Sequence, residues 1–229
     1  ESVDVLGPSF DALIVDEGQD LTKKWWELLQ FVIKEPAHRK WVFRDNNQKI
    51  YASRDADYSD LAGPFPLYEV IRNTEEIGIA ALNFYQGESC SLEGPRGDPL
   101  EWRHSENLQK DLVKIVRKLL SYEGVLTSQI AILSMCGFEK SFLSGIQSIE
   151  DIPVRRADDE ENNAITLDSV YRFKGLEKEV VVLCDFKEGK WDEELLYVGI
   201  SRAKSYLLFL MSDKSQTREL QDIVSRLAQ

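Results

Sequence analysis

The residues most able to do chemistry begin at Asp11-Ala-Leu-Ile-Val-Asp-Glu-Gly-Gln-Asp20, where the apolar run Ala12–Val15 ends abruptly in two carboxylates, Asp16 and Glu17. Carboxylates just past the carboxyl end of a parallel strand sit where open α/β sheets bind their ligands. One of them can hold a magnesium ion, directly or through water, and the next can orient or deprotonate an attacking water. The alternative is a plain acidic strand-to-helix turn, with Asp20 capping a helix from about Thr22. Phosphoryl transfer also needs positive charge around a spreading negative charge. Arg72 and Arg202 are the candidates, since both lie near strand or helix ends, from which a side chain can cross a cleft. Against that stand a surface arginine at a helix start for Arg72 and a helix-to-sheet fastener for Arg202.

These groups must be positioned by an alternation of strands and helices. Strands are predicted at Ala12–Val15, Trp41–Phe43, Leu67–Ile71, Ile130–Met135, Ile152–Arg155, Ala164–Leu167, Val180–Cys184 and Tyr206–Met211. A helix capped by Thr74 should run to Gln86, and Leu108, Leu112, Ile115 and Leu119 recur at helical spacing up to Gly124. Strands separated by helices imply a mostly parallel sheet flanked by helices, an α/β architecture. Gly63-Pro64-Phe65-Pro66 reads as a domain junction, Gly87–Pro99 as a surface loop, and Asp158–Asn163 as an acidic turn between two strands.

Five segments, in a fixed order, resemble the motifs of superfamily 1 DNA helicases of the UvrD/Rep/PcrA type. Asp11–Asp20 resembles motif II, the Walker B box. Val42-Phe-Arg-Asp-Asn-Asn-Gln-Lys-Ile-Tyr51 resembles motif III, and Leu67-Tyr-Glu-Val-Ile-Arg-Asn-Thr-Glu-Glu-Ile77 resembles motif IV. Thr166-Leu-Asp-Ser-Val-Tyr-Arg-Phe-Lys-Gly-Leu-Glu177 is similar to motif V, and Glu194-Leu-Leu-Tyr-Val-Gly-Ile-Ser-Arg-Ala-Lys204 to motif VI. The resemblance implies a RecA-like parallel sheet. It divides the chain into residues 1–62, the end of a first RecA-like ATPase domain, and residues 63–229, a complete second one.

The same resemblance assigns roles. Asp16 would hold Mg2+, Glu17 would activate water, and Gln48 would sense the γ-phosphate of ATP. Arg72 and Arg202 would reach that phosphate as arginine fingers, and Glu177, after a tight turn at Gly175, would contact the nucleotide ribose. Arg72, Glu177 and Arg202 are expected on one rim of a single parallel sheet, at the carboxyl side of its strands. Single-stranded DNA would meet Tyr51, Tyr171, Arg172 and Lys174. The sequence departs from the family at Arg44, where motif III has Gly, at Ser53, where a stacking Trp is usual, and at Tyr171, where motif V has His.

A P-loop, Gly-x-x-x-x-Gly-Lys-(Ser/Thr), is absent, since the only Gly-Lys, Gly189-Lys190, is followed by Trp191. With Glu1 rather than Met at the start, the expectation is a fragment whose P-loop lies on an upstream segment and which is inactive alone. The 94 positions from Arg72 to Thr166 leave no room for a large helical insertion, which implies a compact core like those attached to nuclease or other partner domains. The parent would be an ATP-dependent helicase or translocase moving 3′ to 5′ on single-stranded DNA. Its alternatives are a helicase-derived module for docking or regulation without catalysis and, more remotely, a receiver-like domain with an acidic magnesium pocket.

Composition narrows the partners. With 28 basic and 40 acidic side chains the net charge is −12, so neither a basic carpet for nucleic acid nor a polybasic membrane anchor exists. Three scattered cysteines and two histidines argue against a disulfide framework or a zinc site, and the compartment reads as reducing and cytoplasmic. No apolar run approaches the roughly 18 residues that a membrane span requires.

Overall fold

A computed structural model describes residues 7–34, 39–51, 56–159, 163–187, 189 and 191–226. Ser53, Lys190 and the acidic-turn residues 160–162 lie outside the described residues. The chain divides into two units, residues 1–67 and 68–229, and the Gly63–Pro66 break lies at the end of the first.

In the first unit, β1 (Leu13–Val15) and β2 (Lys40–Val42) pair in parallel with Ile14 opposite Trp41. Between them runs α1 (Lys23–Gln30), capped by Thr22, whose hydroxyl accepts the Trp25 N–H at 3.3 Å. Asp20 is therefore not the cap; it closes the 3-10 turn Gly18–Asp20. Trp26 is buried from α1, meets Tyr58 edge-on at 4.8 Å and points its indole N–H at Asp60. Phe10, Ile14, Phe31 and Trp41 stay exposed.

The second unit opens with β3 (Glu69–Val70), α2 (Glu75–Leu82) and β4 (Ser91–Leu92), where β3 and β4 pair in parallel. It continues with β5 (Glu101–His104), α3 (Leu108–Ser121), β6 (Ile130–Ser134), β7 (Ser148–Ile149), β8 (Ile152–Arg155) and β9 (Ile165–Ser169). The last elements are α4 (Val170–Phe173), β10 (Lys178–Cys184), α5 (Glu193–Ser201), β11 (Ala203–Met211) and α6 (Lys214–Val224). Seven strands form one sheet in the order β5-β11-β10-β6-β9-β8-β7, parallel throughout except for the β7–β8 pairing.

This topology follows from the apolar pattern. A parallel sheet covered on both faces needs strands apolar on both sides. Ile130–Ser134 and Val180–Cys184 are buried at every position, and α3 turns Leu112, Ile115, Val116 and Leu119 onto the same core. Each Val, Leu or Ile among them contributes roughly 1.5–3 kcal/mol by leaving water. Asn107 caps α3 by accepting the Lys110 N–H at 2.9 Å, and Gly124, at φ 68°, turns the chain away after its end.

Other local expectations change too, and the strand expected over Leu67–Ile71 is only Glu69–Val70. Helix α2 stops at Leu82, and Thr74 stands at its N-cap without a capping bond from its hydroxyl. The stretch read as a surface loop contains β4, because Ser91 and Leu92 find partners in Glu69 and Val70. Strand β9 runs through Asp168 and Ser169, polar residues that the apolar reading left out. No helix among the described residues is long and apolar enough to cross a membrane.

Candidate functional site

The acidic strand end of the first unit is a hydrogen-bonded turn. Glu17 adopts φ 52°, ψ 41°, a left-handed conformation that is costly for a non-glycine residue and concentrates at functional sites. Its N–H is accepted by Asp16 Oδ1 at 2.9 Å, and Asp16 stays exposed. Gly18 follows because nothing larger fits: a Cβ there would lie 2.4 Å from Val42 Cγ1. Its N–H reaches Phe43 O at 2.8 Å, and Tyr58 donates to its carbonyl at 2.6 Å.

From this turn the contacts pass to Gln48. Gln19, buried, donates to Glu17 and accepts the Asp45 N–H at 3.0 Å; Asp45 in turn accepts the Gln48 amide at 3.1 Å. Gln48, far in sequence from Asp16 and Glu17, is thus joined to them through Gln19 and Asp45, which sequence reasoning did not single out for that role. Tyr51, half-buried, follows the same turn.

In the second unit, Arg72 and Glu177 meet as an ion pair at 2.9 Å. Lys204 approaches Glu177 at 3.8 Å and Glu179 at 3.0 Å. Hydrogen bonds from Ser205 and Lys204 hold the Glu179 carboxyl below its ordinary range. Gly175, at φ 83°, makes the turn that brings Glu177 into place. Arg202 sits at the C-cap of α5 and is 2% exposed. Its guanidinium donates to Val198 O at 3.0 Å, Leu176 O at 3.3 Å and Ser201 Oγ at 2.9 Å.

Asn73 closes this arrangement. It is 5% exposed and donates to Ser201 O at 3.1 Å and Ala203 O at 2.6 Å, while the Thr74 N–H reaches Lys204 O at 2.9 Å. The loop at Gly94 presses on the same segment, so closely that a Cβ there would lie 1.9 Å from Asn73 O. The three expected residues therefore lie together, but at the opposite rim from the one predicted. Glu177 and Arg202 immediately precede β10 and β11, so they stand at the amino ends of these strands, and Arg72 joins them from outside the seven-stranded sheet. Strand direction decides this, because Lys178 and Ala203 already belong to the strands.

The residues expected to meet DNA begin at the other edge. Tyr171 and Arg172 lie on α4, which leaves the carboxyl end of β9, and half-buried Lys174 follows. Burial, with the nearby charges of Asp192 and Cys136, raises the Tyr171 phenol. Arg172 pairs with Asp168 at 3.4 Å and with Asp158. Arg156, which sequence reasoning missed, pairs with Asp168 at 2.7 Å and lays its guanidinium 3.2 Å from the centre of the Phe138 ring. Its only sequence signal is the Arg155-Arg156 doublet ahead of the acidic run.

Fold and site together define a mostly parallel α/β domain with charged clusters at both edges of its sheet. Residues 164–210 match the UvrD-like helicase C-terminal domain family. No curated protein matches the chain. Among solved structures, the chain resembles the C-terminal domain of a possible DNA helicase from Lactobacillus plantarum WCFS1, at 15% identity and TM-score 0.45, covering 62% of this chain and 87% of that one. It also resembles the PRRSV helicase at 14% identity and TM-score 0.51, over 95% of this chain. This chain spans 38% of that helicase's length, and the likeness is one of fold.

Proposed function

We propose that this chain is the C-terminal portion of an ATP-dependent DNA helicase or translocase of the UvrD/Rep type, which moves 3′ to 5′ on single-stranded DNA. The observation that carries this reading is the contact of three separate motifs at one rim: Arg72 on Glu177, Asn73 on the carbonyls around Arg202, and Arg202 on Leu176 O. The family match over residues 164–210, which covers motifs V and VI, supports it.

Asp16 is the residue that would hold magnesium. Among the described residues no group of three or more His, Cys, Asp or Glu forms a metal cage. Magnesium is commonly bound through one or two carboxylates plus water and phosphate oxygens, so an exposed Asp16 suits it. Magnesium-bound ATP supplies the phosphoryl group. Glu17 takes the proton of the attacking water, with Gln19 fixing its carboxylate, and Gln48 reports on the phosphate through Asp45. Arg72 supplies positive charge, and Glu177, with Gly175 shaping its approach, contacts the ribose. Tyr51, Tyr171, Arg172 and Lys174 meet the DNA strand.

Because the chain has no P-loop, an upstream segment of the same protein would complete the phosphate cradle, with a nuclease or other fused domain as a further partner. ATPase measurements test the assignment. The chain alone is expected to hydrolyse ATP negligibly, and a parent that includes a P-loop should show DNA-stimulated turnover abolished by Glu17→Gln. Robust turnover by the chain alone, lost in Glu17→Gln, would refute the split cradle. A second reading, a helicase-derived interaction module without catalysis, is favoured by one observation: the Arg202 guanidinium is buried on carbonyls of its own unit. A P-loop-containing parent without DNA-stimulated turnover would support that reading.

A further inference from the structure

Asp168 is fully buried at the carboxyl end of β9, and five donors converge on it. Oδ1 accepts Arg156 Nη2 at 2.7 Å and the Ser169 N–H at 2.7 Å. Oδ2 accepts Arg156 Nε at 3.1 Å, the Ala157 N–H at 3.0 Å and Arg172 Nε at 3.4 Å. One carboxylate therefore anchors two guanidinium groups, and Phe138 backs one of them. The cluster stands over the carboxyl ends of three adjacent strands, β6, β9 and β8, the edge where parallel sheets take ligands.

Arg172 is half exposed, and its outward Nη2 is held by Asp158, whose side chain is 70% exposed. Beside it, Asp159 accepts the Arg156 N–H at 2.8 Å and, through its carbonyl, Arg155 Nη1. A guanidinium receives a carboxylate and a phosphate in the same forked geometry. Exposed ion pairs of this kind are weak and exchange readily, whereas the buried anchor on Asp168 does not have to move.

We propose that Asp158 is a built-in stand-in for a nucleic-acid phosphate: it occupies the outward face of Arg172, and a phosphate of single-stranded DNA binds by displacing it while Asp168 keeps Arg172 and Arg156 in place. This rests on the reading of Arg172 as a DNA contact. With Asp158 engaged, the two arginines and two aspartates balance in charge, so an incoming strand meets no net attraction. Once Asp158 swings away, one positive charge faces the phosphate. Asp158 tunes affinity, and Asp168 is a positioning residue.

The test is fluorescence anisotropy of a labelled oligothymidylate with the whole chain, titrated over a range of salt. Asp158→Asn should tighten binding about fivefold at about 50 mM salt, the most that an exposed competing ion pair can withhold, and the gain should fade as salt rises. Asp151→Asn removes the same charge at an exposed position outside the cluster and should change little. Adding Arg172→Ala to Asp158→Asn should abolish the gain. Asp168→Asn should abolish it too, with circular dichroism confirming an intact fold. A gain that survives Arg172→Ala, or is matched by Asp151→Asn, is a general charge effect and overturns the proposal. If Arg172→Ala weakens binding while Asp158→Asn changes nothing, the DNA contact stands and the stand-in falls. If no variant binds or differs from the parent chain, both fall.

Discussion

At the scale of single residues, Arg202 is held by side-chain hydrogen bonds within its own unit. A guanidinium buried on two carbonyls and a hydroxyl fastens α5 to the turn before β10, and its removal strands those acceptors. Arg202→Ala is expected to cost about 2–4 kcal/mol, hence on the order of 5–15 °C in melting temperature, by differential scanning calorimetry. A variant melting like the parent would show that the guanidinium is not a fastener. Asp185 makes the opposite case. Burial raises its carboxyl above the ordinary value, outweighing hydrogen bonds from Ser141, Ser134 and the Phe142 backbone, and its φ of 58° is one that Asn tolerates better. An acid with a raised folded-state value contributes stability below its unfolded value and loses it as pH rises through the folded one. At pH 7, therefore, the ionised group is a net cost. Asp185→Asn should be more stable than the parent at pH 7, and urea melts at successive pH values should show the advantage shrinking as the pH falls.

At the scale of elements, the loop ahead of β5 acts as a clamp on the Arg72 segment. A Cβ on Gly94 cannot fit against Asn73 O without moving backbone, so Gly94→Ala should cost about 1–3 kcal/mol and loosen the amides of residues 72–74 in hydrogen exchange. Unchanged protection there would show that the clamp is dispensable. That clamp was invisible in the sequence, where Gly94, Pro95 and Gly97 signal only an irregular loop. The strands that bury both faces were legible, because Val180–Cys184 and Ile130–Ser134 carry their burial in their composition. Two-residue strands such as β4 carry no periodicity to read. Asp168 and Ser169 lie inside β9 because arginines and backbone N–H groups distant in sequence satisfy the carboxylate, a condition that no local pattern encodes. The candidate site divides the same way. Motif residues were identifiable one by one, whereas the connectors Gln19, Asp45 and Asn73 became visible only once the chain had brought their partners together.

At the scale of the whole molecule, the two units differ in how well they cover themselves. The cluster of residues around Leu112, Ile132, Val182 and Leu208 lies wholly within residues 68–229. Residues 68–229 expressed alone should therefore unfold in a single cooperative urea transition, and a broad, probe-dependent transition would show that their core is incomplete. The first unit leaves Ile14 and Trp41, paired across its two strands, exposed on one face. Within the second unit, the span from Asp168 to Glu177 has a mechanical consequence. It crosses from the carboxyl edge of the sheet to the amino edge, held at one end by the arginines on Asp168 and at the other by the bond from Arg202 to Leu176 O. A displacement of Arg172 is therefore expected to reach Glu177 to the extent that the intervening turn at Gly175 does not absorb it.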